Sequence, residues 1–408
     1  MLATLTKALV TIAALGAGIF SIPATFDLLN ERRQTIPLDA PSDSGLAVGM
    51  RAAAILTPAL GEAIGQPTDE TVSEEMRKAI AIETRRGILL EPLNPDGLRA
   101  LAVVAKLENR DEESFRLLKL SERVSRRDAK TGLLLSLAYA EQEDVEAMLS
   151  TIDNAMRGSV QIRETMLPQL MGLLGYEQAV TLVADLLADA PPWEEDFWEA
   201  SAGAPTPSLT NLARIRIARS QDGYVGKPIL DRRLLAAITD AGEFNTALAL
   251  YTELFSVDLD RREMVNNAGF DHAPRDPPFD WELKFGNSLS TDILPADGTL
   301  RIQTFGGGSG VAARQLVGLP DSAATLNIRA KDWDNRDGQT LYARISCAEG
   351  GDSSVTLELR SATASIPLVR PKADCRFNWL ELVVRPQDDR RDNSVVLDTV
   401  SILAGPPR

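Results

Sequence analysis

Histidine, cysteine and basic residues are scarce in this chain. Its 408 residues include one histidine, His272, and two cysteines, Cys347 and Cys375. A Ser-His-Asp triad or a multi-histidine metal site would have to use His272, and two thiols cannot form a four-thiolate zinc site. The 43 Lys and Arg are outnumbered by 58 Asp and Glu, and the net charge of −15 disfavours nucleic acid, whose phosphates need a cationic face. We therefore expect no nucleic-acid partner and no enzyme of these classes.

The composition is otherwise that of a globular protein with more than one domain. Charged residues make up 25% of the chain and hydrophobic residues 44%, which argues against wholesale disorder. The length of 408 residues predicts two or three domains, each large enough to bury a core.

The N-terminus carries an uncharged apolar segment. Lys7 is followed by nineteen residues without a formal charge, Ala8 to Phe26. This length fits a secretory signal peptide cleaved after Ala24 or a retained membrane anchor, and a buried helix of a soluble domain is a third interpretation. The position before a linker of residues 27–45 favours export. We expect a cell-envelope protein that is either anchored in the inner membrane facing the periplasm, or periplasmic or secreted after cleavage.

Residues 46–258 show a helical periodicity that recurs about every 34 residues. Asn94-Pro95-Asp96 opens a stretch with apolar residues at helical spacing, and a polar break at Asn109-Arg110-Asp111 precedes a second stretch. The polar break recurs 34 residues later, at Glu143-Asp144. A small residue opens the second helix at four places: Ser114, Ala147, Ala179 and Ala247. The spacing predicts stacked helical hairpins.

This spacing resembles that of the tetratricopeptide repeat, a 34-residue helix-turn-helix unit. Gly242, Ala247 and Tyr251 match the family's turn glycine, small residue and aromatic residue, whereas Asn109 and Glu143 replace the turn glycine. The resemblance covers roughly half of the chain and implies a superhelix with a concave groove. Such a groove implies a protein partner, and the alternative is a spacer that only positions the domain after it.

The hydrophobic period changes to two after Arg262. Short alternating segments, separated by turns that contain Gly, Asp and Pro, predict the strands of an antiparallel β-sandwich. The predicted strands are Thr299–Phe305, Val311–Leu316, Thr325–Ala330, Thr340–Cys347, Ser354–Arg360, Ala364–Val369, Phe377–Arg385 and Ser394–Leu403.

Both ends of this region resemble the jelly-roll carbohydrate-binding modules, which are galactose-binding-like. Asn267 to Asp271, followed by Trp281, resembles their opening Asn-Gly-Gly-Phe-Glu and tryptophan strand, and Val395 to Ile402 resembles their closing strand. The resemblance implies a jelly roll that contacts polysaccharide. It also implies a structural calcium at Asp271 and Asp398, which match the family's acidic positions, and oxygen ligands suit calcium. Capping and hydrogen bonding without metal is the alternative, and we expect no other cofactor.

The two cysteines favour a disulfide. Cys347 ends one predicted strand and Cys375 lies at the start of another, 28 residues on. In an exported chain this arrangement predicts a bond, and two inert buried thiols are the alternative. A loop of this length would stabilise the fold by about 3–4 kcal/mol.

Four aromatic residues complete the set of candidates. Sugar binding needs flat aromatic faces on an exposed sheet or loop. Trp333, in a polar loop, and Tyr342 are the candidates for glycan contact. Trp281 and Trp379 are expected in the core.

These patterns predict an α+β multidomain chain with an N-terminal membrane or signal helix, an α-helical solenoid and a C-terminal antiparallel β-sandwich. The predicted bounds are 1–26 for the leader, 27–45 for a linker, 46–258 for the repeats, 259–280 for a second linker with the first jelly-roll segment, 281–404 for the sandwich and 405–408 for a tail. We expect a non-enzymatic scaffold with a role in exopolysaccharide or capsule assembly. The alternatives are a purely structural or protein-binding jelly roll, and a glycan-active hydrolase or lyase with paired carboxylates.

Overall fold

The computed structural model describes most of the chain after residue 73. The described ranges are 74–255, 263–320, 323–333, 340–350, 353–368, 370–372, 374–385 and 392–404. Several predicted segments lie outside these ranges. They are the leader, the first linker, the start of the helical region, its boundary at residues 258 and 259, and the tail. The chain divides into two compact units, one that ends at Asn211 and one that begins at Leu212.

The first unit is built from helices. They are α1 (Glu74–Leu90), α2 (Pro95–Leu107), α3 (Asp111–Val124), α4 (Ala129–Glu141), α5 (Val145–Gly158), α6 (Val160–Leu173), α7 (Glu177–Ala188), α8 (Glu194–Ser201) and the first part of α9 (Thr206–Gln221). Within the ranges given above, no helix has both the length and the apolarity needed to cross a bilayer.

Helices α2 to α5 form two successive hairpins, and the local sequence explains where each begins. At the start of α2 the Asn94 side chain accepts a backbone hydrogen bond at 3.2 Å, and Asp144 does the same at the start of α5, at 3.0 Å. Between the helices, Asn109 and Glu143 have φ angles of 58° and 61°, in the left-handed region that favours glycine. The two predicted breaks are therefore turns between helices, 34 residues apart.

Packing in this unit links neighbouring helices. Ala102, Leu118 and Leu135 from α2, α3 and α4 form one small buried cluster. The buried Arg99 guanidinium pairs with Asp96 and with Asp128, so an ion-pair network ties α2 to the start of α4. The first hairpin, α2 and α3, thus packs against α4, as expected for neighbouring members of a stacked array.

Among the residues that the structure describes, the second unit contains the rest of α9, α10 (Pro228–Asp240), α11 (Phe244–Phe255) and ten strands. The strands are β1 (Glu282–Leu283), β2 (Leu289–Leu294), β3 (Thr299–Thr304), β4 (Gly310–Gly318), β5 (Ala324–Trp333), β6 (Thr340–Cys347), β7 (Ser354–Glu358), β8 (Thr363–Leu368), β9 (Phe377–Arg385) and β10 (Asn393–Ala404). They form two antiparallel five-stranded sheets, in the orders β1-β4-β9-β6-β7 and β2-β3-β10-β5-β8. The predicted C-terminal antiparallel sandwich is confirmed.

One continuous core lies between the two sheets. Trp281 is fully buried there, 5.8 Å from the ring of Phe270, and its indole nitrogen donates to the Asn267 carbonyl at 3.3 Å. The predicted disulfide is confirmed, because the sulfurs of Cys347 and Cys375 are bonded. The bond ties the end of β6 to the residues before β9.

Helices α10 and α11 pack on the sandwich within this unit. The Tyr251 ring of α11 stacks on Phe279, with 4.9 Å between centroids, and Phe244 lies 5.7 Å from Phe377 of β9. From α10, the Arg232 guanidinium pairs with the buried Asp276 at 2.8 Å. These contacts cover one end of the outward face of the β4-β9-β6 sheet.

Candidate functional site

The rest of that outward face carries a regular arrangement of polar and aromatic side chains. On β6, Leu341, Ala343 and Ile345 lie in the core between the sheets. Because successive side chains of a strand point to opposite faces, Tyr342 and Arg344 lie on the outside. We call this surface the outer face; it consists of Glu282, Arg314, Tyr342, Arg344, Trp379, Glu381 and Arg385.

A row of alternating charges crosses four strands at the centre of the outer face. Strand register places Glu282 opposite Arg314, and Glu381 opposite both Arg314 and Arg344. The Arg314 Nε donates to Glu282 at 2.7 Å, and the Arg344 Nε donates to Glu381 at 2.5 Å. Hydrogen bonding to the Glu381 carboxylate raises the pKa of Arg344 above its usual value. The row therefore presents planar donors and acceptors in fixed positions.

Two aromatic rings flank this row. The Arg314 guanidinium lies 4.6 Å from the centroid of the Trp379 ring, and that of Arg385 lies 4.7 Å from the Tyr342 ring. Both rings are half-buried rather than fully enclosed. Stacking on the rings restricts the arginines and holds their donor groups at the surface.

A pocket of about 420 Å³ adjoins the row at the sheet edge. It lies among β1, β4 and the loops after β1 and β3, and it shares Glu282, Arg314 and Glu381 with the outer face. Glu282, Lys284, Ser288 and Ser309 also line it. Its volume is within the usual range of small-ligand pockets.

The sequence-predicted glycan residues lie on different sheets. Tyr342 belongs to β6 and to the outer face, whereas Trp333 is the last residue of β5 in the other sheet and pairs there with Val395. Trp333 was predicted to lie in a loop, but it belongs to strand β5, and its side chain lies outside the described part of the structure. The second aromatic ring of the outer face is that of Trp379, which lies on β9 on the other side of the charge row.

The position predicted for Trp379 is also wrong. It was expected in the core, but the core side of β9 is occupied by Leu380 and Leu382, so Trp379 faces outward beside Glu381. The alternation within Phe377–Arg385 contains this signal, since the charged Glu381 shares its side with Trp379. The expectation for Trp281 is confirmed.

The predicted calcium residues lie near the meeting point of the first and last jelly-roll segments. The carbonyl of Ala268, close to Asp271 in sequence, accepts from the backbone of Val400 in β10 at 2.9 Å. Asp271 is exposed, and both oxygens of Asp398 accept from the Arg329 Nε, at 2.9 and 2.8 Å. A calcium ion at Asp398 would have to compete with Arg329, and the calcium role stays a prediction.

In the described residues, one group of three metal-ligand side chains brings its donor atoms within 4.8 Å of one another. It consists of Cys347, Glu349 and Cys375. Both sulfurs belong to the disulfide, so they are not available as thiolate ligands. Glu349 instead accepts a hydrogen bond from the backbone of Arg376 at 2.6 Å and supports the turn before β9.

Comparison with known proteins does not identify a family for this chain. No family model matches this sequence, and no curated protein matches it. A solved structure of TmCBM61, a carbohydrate-binding module, in complex with β-1,4-galactotriose is similar at 13% identity and covers 36% of this chain and all of its own. The TM-score is 0.26, and a likeness at this level carries no argument. The description of this chain as a set of helices followed by a C-terminal antiparallel β-sandwich therefore rests on its own structure.

Proposed function

We propose that this protein is a non-enzymatic glycan-binding scaffold of the cell envelope, and that its outer face contacts the glycan. The observation that carries the proposal is the row of paired Glu and Arg side chains between the rings of Trp379 and Tyr342. Sugar hydroxyls both donate and accept hydrogen bonds, and planar carboxylates and guanidinium groups match adjacent hydroxyls. The apolar faces of sugar rings pack on aromatic side chains, which are here partly exposed.

The charges of the row also favour binding over catalysis. Glu282 and Glu381 both line the pocket, and each is in an ion pair with an arginine. A glycosidase needs one carboxyl group that carries a proton and a second that attacks or activates water. Carboxylates held by arginines are suited to accepting hydrogen bonds, which supports a non-enzymatic role.

Affinity gel electrophoresis of the full chain tests glycan binding. The gels contain galactan, xylan, β-1,3-glucan or polygalacturonate. We expect retardation by at least one neutral polysaccharide, and Tyr342→Ala to weaken it about tenfold, because an aromatic contact is worth about 1 kcal/mol or more. Tyr176→Ala is the matched control, since Tyr176 is an exposed tyrosine of the helical unit. Absence of retardation in every gel would contradict the proposal.

The helical unit is proposed to hold a protein partner as a tetratricopeptide-like array. Support comes from the two hairpins whose turns lie 34 residues apart and from a groove of about 610 Å³ among α2, α3 and α4. Apolar side chains such as Phe115 and Leu137 line the groove together with charged residues such as Lys106 and Glu141. This combination suits a peptide segment with apolar anchors.

Site-specific crosslinking tests the groove. A photoreactive residue at Leu137 is expected to capture a protein that the same residue at Tyr176 does not capture. Capture at both positions, or at neither, argues for the alternative in which the helices act only as a spacer.

A location outside the cytoplasm, with a role in exopolysaccharide or capsule assembly, completes the proposal. The support is the Cys347–Cys375 disulfide, since such bonds form and persist in oxidising compartments. Fractionation of cells that produce the full chain, followed by thiol labelling without reduction, tests the location. Recovery of both cysteines as labelled thiols in the cytoplasmic fraction would overturn it.

A further inference from the structure

The pocket at the β1–β4 edge is closed on one side by two touching loops. The Phe305 backbone nitrogen donates to the Ser288 carbonyl at 3.0 Å. A Cβ atom on Gly308 would lie 1.8 Å from that same carbonyl oxygen, so the loops after β1 and β3 meet with no space for a side chain. The two loops thus form a wall at one end of the pocket.

The opposite side of the pocket is continuous with the outer face. Arg314 and Glu381 line the pocket and also form the centre of the row that leads across β9 to Arg344 of β6. Strands in a sheet are about 4.8 Å apart, so the row extends about 10 Å from β4 to β6. A ligand that fills the pocket therefore has room to extend along the row, away from the two loops.

The formal charges of the side chains that line the pocket sum to zero. Two carboxylates, of Glu282 and Glu381, face two cations, of Lys284 and Arg314. An acidic sugar would need a surplus of cations, whereas a balanced set offers donors and acceptors to hydroxyl groups. The serine residues Ser288 and Ser309 add hydroxyls of their own. The chemistry of the pocket is that of a site for an uncharged, hydroxyl-rich group.

We propose that this pocket holds the terminal unit of a neutral oligosaccharide or polysaccharide, and that the next units lie along the Arg314–Glu381–Arg344 row. This inference rests on the proposed glycan binding and specifies its mode. The protein recognises chain ends rather than internal stretches, because the loop wall stops the chain on one side.

Binding capacity measured before and after chain cutting tests this mode. The full chain is titrated calorimetrically with the neutral polysaccharide that retards it, either intact or cut into shorter chains by partial endo-hydrolysis. An end-binding protein binds in proportion to the number of chain ends, so the amount bound per gram rises as the chains are cut. A constant or falling capacity overturns end recognition while leaving glycan binding intact.

Single-residue variants distinguish the contribution of the pocket to glycan binding from that of the outer face. Lys284→Ala is expected to weaken binding about tenfold, since a hydrogen bond to a charged group is worth about 1.5–3 kcal/mol. The matched control is Lys372→Ala, an exposed lysine of the same unit that lies outside the pocket lining. If Tyr342→Ala weakens glycan binding and Lys284→Ala does not, the proposed role of the pocket is wrong, but glycan binding by the outer face still stands. Stronger retardation by polygalacturonate than by the neutral polymers overturns the neutral ligand, and no retardation by any polymer overturns both proposals.

Discussion

The two units of this protein bury their apolar residues in different ways. In the helical unit, two small clusters, one of which consists of Ala102, Leu118 and Leu135, are each shared by helices adjacent in sequence. In the sandwich a single cluster joins strands from β2 to β10 and includes Trp281. A disulfide further links two parts of the sandwich.

This difference predicts how each unit responds to damage. Where contacts are confined to sequence neighbours, stability is close to a sum of local terms, and a lost contact weakens mainly its own hairpin. Where strands distant in sequence share one core, the loss of a single large side chain is felt by both sheets. The variants below test that contrast.

The largest effect is expected for Trp281→Ala. The side chain is fully buried, and its removal leaves a cavity between the sheets, so the free energy of unfolding should fall by about 3–5 kcal/mol. Urea denaturation followed by tryptophan fluorescence and far-ultraviolet circular dichroism measures the change. Only the unfolding transition of the second unit should shift. An equal shift in the unfolding transition of the helical unit would contradict the difference described above.

Removal of the disulfide should cost nearly as much. The double variant Cys347→Ala/Cys375→Ala frees a loop of 28 residues, and the chain-entropy model gives a loss of about 3–4 kcal/mol. The same denaturation experiment, with the reduced wild type as a second reference, measures it. A loss below about 1 kcal/mol would show that the core holds the sandwich without the bond.

Leu135→Ala tests the helical unit. Leu135 is fully buried, but its cluster is small and can partly collapse, so we expect a loss at the low end of the usual range, about 2 kcal/mol. Hydrogen exchange should localise the weakening to α2, α3 and α4. Uniform loss of protection across the unit would argue that the helices unfold as one body.

Glu143→Gly should stabilise the same unit by about 0.4–1 kcal/mol. Glu143 has a φ of 61°, which glycine adopts without steric cost and other residues do not. Glu146→Gly is the control, because Glu146 is exposed in the first turn of α5, where glycine costs backbone entropy and the loss of the carboxylate removes a favourable charge at the helix N-terminus, so the unit should be destabilised. Thermal denaturation measures whether each variant is more or less stable than the wild type.

The smallest effect is expected for Glu263→Gln, and it depends on pH. Burial raises the pKa of Glu263 above its usual value, so the fold favours the protonated form. The stabilising contribution of this group is therefore present below the ordinary carboxyl pKa and is lost as the pH rises through the raised pKa. Glutamine can keep both acceptor bonds, to Val265 and Ile402.

Unfolding at several pH values measures this dependence. Glu263→Gln should be more stable than the wild type at neutral pH, and the difference should shrink as the pH falls. The exposed Glu358→Gln is the control. If the stability difference between Glu263→Gln and the wild type grows as the pH falls, the predicted direction of the pH dependence is wrong.

Local patterns were sufficient to predict most elements. The break at Asn109 and the strand Thr340–Cys347 follow from spacing alone, because helix and strand periods are properties of a few adjacent residues. Strand β1 was missed since two residues, Glu282 and Leu283, carry no period. The position of Trp379 on the same face as Tyr342 was missed for another reason: strand β9, which carries Trp379, becomes the neighbour of β6 only in the folded sheet.

The sequence by itself determined the hairpin spacing, the alternating strands and the cysteine pair, since each depends on residues a short distance apart or on simple counting. Only the tertiary structure decided that Arg314, Glu381 and Arg344 form one row, because these residues come from three strands brought side by side by sheet order. It also decided that α10 and α11 pack on the sandwich, through rings that meet only after folding. Long-range register is set by the total burial of apolar surface, which no local segment contains.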